Sequence, residues 1–398
     1  MPTRRKLADS DLQDVRARAR RLYTTPALRL ATLGLLALLG ACGGGDQSAS
    51  PAPPPTPTPS TPTSVIIDIS QPWVVAQPAD VNMDGVKLSR AANDAAAMPR
   101  FRSLLVARHG KLVLENYFGG TTAGTLFDVR SVTKSVVSLL VAQAIAAGKM
   151  SLDTTVGDYL GAPYTLDASD RAVTVRQLLT MTSRYRWDEN SGDDYNQWAL
   201  STDHVQFLLD RLQNDPAETF TYNSAAVNLL GVLLQKAVGE PLPQYANERL
   251  FTPLGVGTAN WEELEPGMPN AGSGIKLTAR DLMRLGQLVL QRGKSGTVQV
   301  IPSASIDAAT TAKFPWRSSY GQQTNVSYGY LFWVADAPAT PAAFAWGYGG
   351  QFIYVVPSLD LVVVATTQWQ GMSAEINPVT FAGSVLTVIV SDVLTSAN

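Results

Sequence analysis

The pattern of apolar and polar positions predicts strands near both ends of the chain's second part and helices between them. Two apolar runs flank His109-Gly110, which predicts a β-hairpin over 102–119. A Pro-Ser-Leu-Asp turn separates two β-branched runs, which predicts paired strands over 351–368. Apolar spacing of three and four residues after capping residues predicts helices, over 83–98, 174–183, 203–212, 223–239, 277–293 and 377–394.

One more helix carries Ser131 and Lys134 in its first turn, is almost wholly apolar afterwards, and ends at Gly148. Strands at both ends with helices in the middle predict an α+β fold. We expect an antiparallel sheet built from the two ends of the body, flanked by helices, with a mainly helical inserted subdomain.

The first 64 residues have a different character. Several arginines precede an apolar run over 27–42, which has the length of the hydrophobic part of a signal peptide and is shorter than the roughly 20 residues of a spanning helix. The run ends in Leu-Gly-Ala-Cys at Cys42, which resembles a bacterial lipobox; a plain secretory signal is the alternative. The stretch that follows is rich in proline, glycine, serine and threonine and has no apolar pattern, so it is interpreted as a tether.

These observations predict a lipoprotein signal peptide at 1–41, a tether at 42–64 and a folded domain at 65–398. The protein is then expected in a bacterial cell envelope, anchored by a lipid on Cys42, facing the periplasm from the outer membrane.

The net charge and the small numbers of cysteines and histidines bear on which classes of function are open to this chain. The net charge of −2 gives no argument for a nucleic-acid partner. One cysteine permits no intrachain disulfide, and two histidines with no cysteine in the body exclude a metal site built from several such ligands. His109 and His204 are predicted to be a turn residue and a helix-start residue, so a hydrolase built on this chain is expected to use another base.

Lysine can be that base. Ser131 and Lys134 lie three residues apart and share a helix face, near a helix N-terminus that stabilises negative charge. A desolvated lysine has a lowered pKa and can accept the serine proton. The motif alone is weak, because about one Ser-x-x-Lys is expected by chance in a chain this long.

Two features further along the chain strengthen the interpretation of Ser131 and Lys134 as a nucleophile and its base. Tyr222 stands just before a predicted helix, and a phenol can shuttle a proton if a neighbouring lysine lowers its pKa. Gly347, Gly349 and Gly350 stand at the head of a predicted strand, where substrate can approach the backbone and an N–H can complete an oxyanion hole.

From about Pro72 to the end, the motifs SVTKS, LLTMTS, FTYNSAAVNLLG, LFTPLG, LTARDLMRLGQL and GYGGQFIYVVPSLDLVVV occur in this order. The body thereby resembles the serine hydrolases of the class C β-lactamase, DD-peptidase and esterase superfamily, and most of all the branch that includes 6-aminohexanoate-dimer hydrolase. The resemblance implies a β-lactamase/transpeptidase-like fold and catalysis without a cofactor.

The same resemblance implies roles for single residues. Ser131 would be the acyl nucleophile, Lys134 its base partner and Tyr222 the proton shuttle. The oxyanion hole would consist of the N–H groups of Ser131 and Tyr348. Two further residues are expected to bind substrate: Ser224, at the position of the asparagine in Tyr-x-Asn, and Trp187, where the nylon-oligomer enzyme has a tyrosine.

The sequence departs from the superfamily at two places. Ala345-Trp346-Gly347 replaces the Lys-Thr-Gly that binds the substrate carboxylate, so Trp346 and Gly347 are expected to line an apolar wall. Arg184 stands where relatives often have glycine. The sequence therefore predicts a serine hydrolase for a small ester or amide, with linear amides such as 6-aminohexanoate oligomers among the candidates. The alternatives are a β-lactamase, a DD-peptidase, or a non-catalytic lipoprotein that binds cell-wall fragments.

Overall fold

The structure is a computed structural model, and it describes residues 65–189, 193–213, 218–257, 259–336, 340–372 and 376–397. The predicted signal peptide, the predicted tether and Cys42 lie outside the described residues. Within the described residues, no helix has the length and apolar character needed to cross a membrane.

A large sheet forms the base of the fold. Among the described residues it has nine strands, in the spatial order β1 (Val74–Val75), β3 (Lys111–Tyr117), β2 (Phe101–Arg108), β16 (Leu361–Thr367), β15 (Gln351–Val356), β14 (Pro341–Gly347), β13 (Trp333–Asp336), β12 (Gln323–Tyr328) and β11 (Phe314–Tyr320). The two ends of the body meet where β2 pairs with β16 in antiparallel register, with Leu105 opposite Val364. The predicted hairpin and the predicted strand pair are confirmed.

The edge strand β1 departs from the expected antiparallel pattern. It pairs in parallel with β3, with Val74 opposite Lys111, so the sheet is mixed. A strand of two residues is too short to show an alternation of apolar and polar positions, so the sequence pattern could not reveal β1.

All seven predicted helices are present, and the described part of the chain adds five short α-helices that the sequence analysis did not predict. Together they are α1 (Gly85–Ala97), α2 (Val132–Ala146), α3 (Val156–Tyr159), α4 (Ala168–Arg171), α5 (Val175–Leu179), α6 (Asp193–Ala199), α7 (His204–Leu209), α8 (Ser224–Val238), α9 (Leu242–Ala246), α10 (Ala279–Leu290), α11 (Ser303–Ala309) and α12 (Pro378–Thr387), which continues as a π-helix over Val388–Leu394. Helix α8 shows why the pattern works: Asn223 caps its first turn by accepting the N–H of Ala226 at 2.9 Å, and Gly239 ends it with φ of 79°.

Helices cover the sheet. Helix α10 packs on β15 and β16, and α1 packs on β2 and on the C-terminal π-helix. Every residue of β15 and β16 is buried, which explains their continuous apolar runs. Helix α2 is buried on most of its surface and packs against α8 and β14, so it is the central helix of the molecule.

Seven further short strands of the described residues lie outside the large sheet. They are β4 (Phe127–Asp128), β5 (Asn260–Trp261), β6 (Glu263–Glu265), β7 (Met268–Pro269), β8 (Ile275–Leu277), β9 (Lys294–Ser295) and β10 (Val298–Gln299). Because β4 pairs with β8, the loop 270–274 that precedes β8 lies beside the residues that precede α2. The helical insertion, the loop and the sheet therefore meet at the start of α2.

Candidate active site

The backbone before α2 is held in an unusual conformation. Val129 donates its N–H to the carbonyl of Ile275 at 3.2 Å, and Arg130 adopts φ of 49°, which is uncommon for a residue with a side chain. Ser131 follows as the cap residue of α2 and is partly exposed. Such strain persists only where the surroundings determine it, and it is frequent at functional sites.

Lys134 lies one turn further along α2 and is 1% exposed. Its Nζ lies 2.8 Å from each of three oxygens: Oγ of Ser131, Oγ of Ser224 and the carbonyl oxygen of Gly272. The pKa of Lys134 is lowered to about 7, chiefly by burial; the charge of Glu189 opposes this shift and that of Arg130 adds to it. A substantial fraction of this lysine is therefore neutral near pH 7 and able to accept a proton.

Tyr222 lies directly before the cap of α8, and Ser131 is among its polar neighbours. Its ring centroid lies 4.9 Å from Nζ of Lys134, and the ring stacks on Trp333 at 5.6 Å. Burial and the nearby Glu189 raise the pKa of Tyr222. The condition that a neighbouring lysine lowers this pKa is not met, because desolvation dominates. Tyr222 keeps its proton at neutral pH and is a donor.

The end of β14 lies against the backbone that precedes Ser131. Gly347 is so close to the carbonyl oxygen of Val129 that a Cβ atom there would overlap it. Tyr348 follows directly, and neither its N–H nor that of Ser131 has a hydrogen-bond acceptor among the described residues. This proximity is what an oxyanion hole of those two N–H groups requires, and that role stays a prediction.

Trp346 extends an aromatic cluster that includes Tyr222. It stacks on Tyr320 at 4.7 Å and on Phe352 at 6.0 Å, and its centroid lies 5.5 Å from that of Trp333. Trp333 in turn stacks on Tyr222. Trp346 thus contributes an apolar surface, and the Ala345-Trp346-Gly347 that replaces Lys-Thr-Gly carries no cation.

Glu189 is the main residue that the sequence analysis missed. Its Oε1 accepts the hydroxyl of Ser224 at 2.5 Å, and its Oε2 accepts the N–H of Ser224 at 3.0 Å and the indole N–H of Trp187 at 2.5 Å. The only sequence signal was an acidic residue in the polar loop after MTS. Loops of this kind are mostly polar, so the signal does not distinguish a site residue from a solvated one.

The polar groups of Ser224 and Trp187 are therefore engaged inside the protein. Ser224 is 1% exposed and bonds both Lys134 and Glu189. The expected contacts of these two residues with substrate stay predictions. Arg184 has φ of 64°, a conformation that favours glycine and accounts for glycine at this position in relatives.

The loop 270–274 was also missed. Asn228 of α8 accepts the N–H of Ala271 at 3.0 Å, which fixes the loop so that the carbonyl of Gly272 points at Lys134. A Cβ on Gly272 would lie 2.7 Å from the carbonyl oxygen of Ser224, so a larger residue would push the loop away. The glycines and serine of this loop could equally have been an ordinary turn.

The two histidines lie where the sequence predicted. His109, in the β2–β3 turn, bonds Asp360 at 2.9 Å, and His204, the first residue of α7, bonds Glu265 at 2.5 Å. Within the described ranges, no group of three or more His, Cys, Asp or Glu side chains is placed to hold a metal ion.

Comparisons with known proteins agree with this geometry. A family model described as Beta-lactamase matches residues 98–379. Esterase EstB of Burkholderia gladioli is 27% identical over 357 residues, covering 70% of this chain and 88% of that protein. A protein of Bacillus anthracis assigned as a 6-aminohexanoate-dimer hydrolase superposes with a TM-score of 0.65 at 18% identity, covering 84% of this chain and 89% of that one. The class C β-lactamase of Rhodobacter sphaeroides superposes with a TM-score of 0.58 at 16% identity, covering 78% and 100%.

Proposed function

Because the chain belongs to the β-lactamase family and has its fold, we propose that it is an esterase or amidase that works through an acyl-enzyme on Ser131. The observation that carries the proposal is the arrangement of Ser131, Lys134 and Tyr222, in which a partly exposed hydroxyl lies beside a lysine able to be neutral and a protonated phenol.

The geometry supports the following sequence of steps. Neutral Lys134 takes the hydroxyl proton of Ser131 as Oγ forms a bond to the substrate carbonyl carbon. The carbonyl π electrons move to its oxygen, which the N–H groups of Ser131 and Tyr348 stabilise. The tetrahedral intermediate collapses when the bond to the leaving group breaks. Tyr222 donates its proton to that alcohol or amine and regains one from Lys134. In deacylation, water takes the place of the leaving group, and its proton passes through Tyr222 to Lys134 as its oxygen bonds to the acyl carbon. Lys134 then returns a proton to Oγ of Ser131 as the bond between Oγ and the acyl carbon breaks, which releases the acid.

The aromatic cluster favours an apolar ester or linear amide as the substrate. A β-lactam carries a carboxylate that needs a cation, and Ala345 stands where relatives have the lysine. Trp346 and its stacked neighbours can bury an apolar acyl or alcohol group instead. The similarity to an esterase over 88% of that protein's length supports the same choice.

The test uses the full-length chain, a fluorophosphonate probe and p-nitrophenyl butyrate. We expect covalent labelling and ester cleavage, both abolished in Ser131→Ala. The matched control is Ser89→Ala, which removes an exposed hydroxyl on α1 and should keep both activities. Labelling that persists in Ser131→Ala would refute the assignment of the nucleophile.

A panel of substrates separates the alternatives. Turnover of a chromogenic cephalosporin faster than that of the ester would favour a β-lactamase, and release of D-alanine from a D-Ala-D-Ala peptide would favour a DD-peptidase. Absence of any labelling, in folded protein, would favour the non-catalytic binding protein.

On the sequence of the first 64 residues alone, we also propose that Cys42 is acylated and anchors the enzyme to the envelope membrane. Mass spectrometry of the N-terminal peptide should show a lipid-modified cysteine. Cys42→Ala should move the protein from the membrane fraction to the soluble fraction, and a wild-type protein found only in the soluble fraction would refute the anchor.

A further inference from the structure

A directed chain of hydrogen bonds runs from the nucleophile to Glu189. It joins Ser131 to Lys134, Lys134 to Ser224, and Ser224 to Glu189, with separations of 2.8, 2.8 and 2.5 Å. The first two residues are three positions apart in the sequence, whereas Glu189 and Ser224 are 35 apart and belong to different segments.

The hydrogen atoms at Glu189 can be assigned from its partners. Oε2 receives two N–H groups, from the backbone of Ser224 and the indole of Trp187, and an N–H can only donate. Oε2 therefore carries no proton. Oε1 of the carboxylate then accepts the hydroxyl of Ser224, so the single hydroxyl hydrogen of Ser224 points at Glu189. The N-terminus of α8, where Ser224 is the first residue, adds a favourable potential for that carboxylate.

This assignment fixes the hydrogens of Lys134. With its own hydrogen committed, Oγ of Ser224 can only accept from Lys134. The carbonyl oxygen of Gly272 can also only accept. A neutral lysine amine has two N–H groups and one lone pair, and these two oxygens take both N–H groups. The lone pair is left facing the third neighbour, the hydroxyl of Ser131.

We propose that Glu189 is a positioning residue that, acting through Ser224, aims the lone pair of Lys134 at the hydroxyl of Ser131. The inference rests on the proposed function, because it concerns the proton transfer that starts acylation. It assigns Ser224 to the orientation of the base rather than to contact with substrate.

Replacement of Glu189 by glutamine should reverse the direction of the hydrogen bonds that join residue 189, Ser224 and Lys134. The amide N–H₂ of a glutamine that keeps its carbonyl towards Trp187 and the N–H of Ser224 must donate to Oγ of Ser224. The hydroxyl of Ser224 then turns to the only remaining acceptor, the lone pair of Lys134. That lone pair is no longer available to Ser131, so acylation slows although all side chains keep their places.

The experiment is a double-mutant cycle of Glu189→Gln and Ser224→Ala, with ester turnover measured from pH 6 to pH 9.5. At the upper end Lys134 is neutral in every variant, because its pKa is about 7 and loss of the Glu189 charge can only lower it. At that pH a change in kcat reports the orientation of the Lys134 lone pair and not the protonation state of Lys134. We expect Glu189→Gln to lower kcat by about 10- to 100-fold at pH 9.5 with little change in KM, which is part of the roughly 10²- to 10⁴-fold that a general base contributes.

In the Ser224→Ala background, Glu189→Gln should have no further effect, because the residue through which it acts is gone. Glu263→Gln, which makes the same change on an exposed glutamate of β6, is the matched control and should behave as wild type. Thermal unfolding of each variant shows that the comparison is between folded proteins.

Three results would overturn the proposal. A Glu189→Gln effect that disappears at pH 9.5 would show that the residue acts only on the pKa of Lys134. If the effects of Glu189→Gln and Ser224→Ala on kcat multiply in the double variant, Glu189 acts by a route other than Ser224. A Glu189→Gln enzyme with wild-type kcat would show that it has no role. If the wild type lacks turnover that depends on Ser131, the proposed function fails and this inference falls with it.

Discussion

The contact between Gly347 and the backbone before α2 gives a sharp prediction. The backbone of Gly347 does not need a positive φ, so alanine meets no intrinsic strain there. Space is the difficulty: a Cβ atom would lie 2.2 Å from the carbonyl oxygen of Val129 and 3.0 Å from Cβ of Gln351, and real Cβ atoms essentially never come within 3.0 Å of another atom. In Gly347→Ala, the end of β14 must therefore move away from the segment that leads into Ser131.

The required displacement is about 1 Å, and misplacement of that size at a reacting centre can reduce the rate by about 100-fold. Removal of one oxyanion-hole donor has a similar effect, about 10²- to 10³-fold in kcat. We therefore expect kcat for p-nitrophenyl butyrate to fall by about 100-fold in Gly347→Ala. KM should change little, because the transition-state oxyanion, rather than the bound ester, needs the N–H of Tyr348.

Gly286→Ala is the matched control. Its Cβ would lie 2.5 Å from a methyl group of Val362 and 2.8 Å from one of Ile353, where α10 packs on the sheet away from the active site. Both variants should unfold at a lower temperature than the wild type, but only Gly347→Ala should lose turnover per folded molecule. A folded Gly347→Ala enzyme with wild-type kcat would refute the placement of the oxyanion hole.

Three further predictions concern the titrating groups. The kcat/KM for a neutral ester should rise with pH through about 7, because Lys134 must lose its proton; a flat profile from pH 5 to pH 9 would contradict this role. Tyr222→Phe should lower kcat by about 10²- to 10⁴-fold in the same ester assay, as expected for loss of a general acid, and should do so least for esters with good leaving groups. Because burial lowers the pKa of Lys134 from 10.5 to about 7, the folded state is penalised fully below pH 7 and less as the pH rises towards 10.5. Lys134→Met should therefore raise the unfolding temperature more at pH 6 than at pH 9, as followed by scanning fluorimetry.

The parts of the site that the sequence predicted are those with a local cause. Ser131 and Lys134 share a helix face because they are three residues apart, and Tyr222 is fixed by the cap of the helix that follows it. The central helices and the paired strands could be predicted for the same reason, since each has its own period and its own end signals.

The missed parts depend on contacts between distant segments. Glu189 gains its role only because the helical insertion brings it to Ser224, and Gly272 because β4 pairs with β8. The raised pKa of Tyr222 has the same origin, because it is set mainly by burial, to which Trp333 of β13 contributes. A sequence motif specifies which groups are present, whereas desolvation depends on what the fold packs around them.

Burial and Glu189 act on Lys134 in opposite directions, and the base needs both. A shift of the pKa from 10.5 to about 7 corresponds to about 5 kcal/mol of preference for the neutral amine, most of it from burial. Burial alone would lower the pKa of Lys134 further and make the amine a weaker base for the serine proton. Glu189 restores part of the affinity for the proton, so the pKa lies near neutrality, where a group both accepts and returns a proton readily. The same carboxylate that orients Lys134 through Ser224 therefore also keeps it basic enough to work.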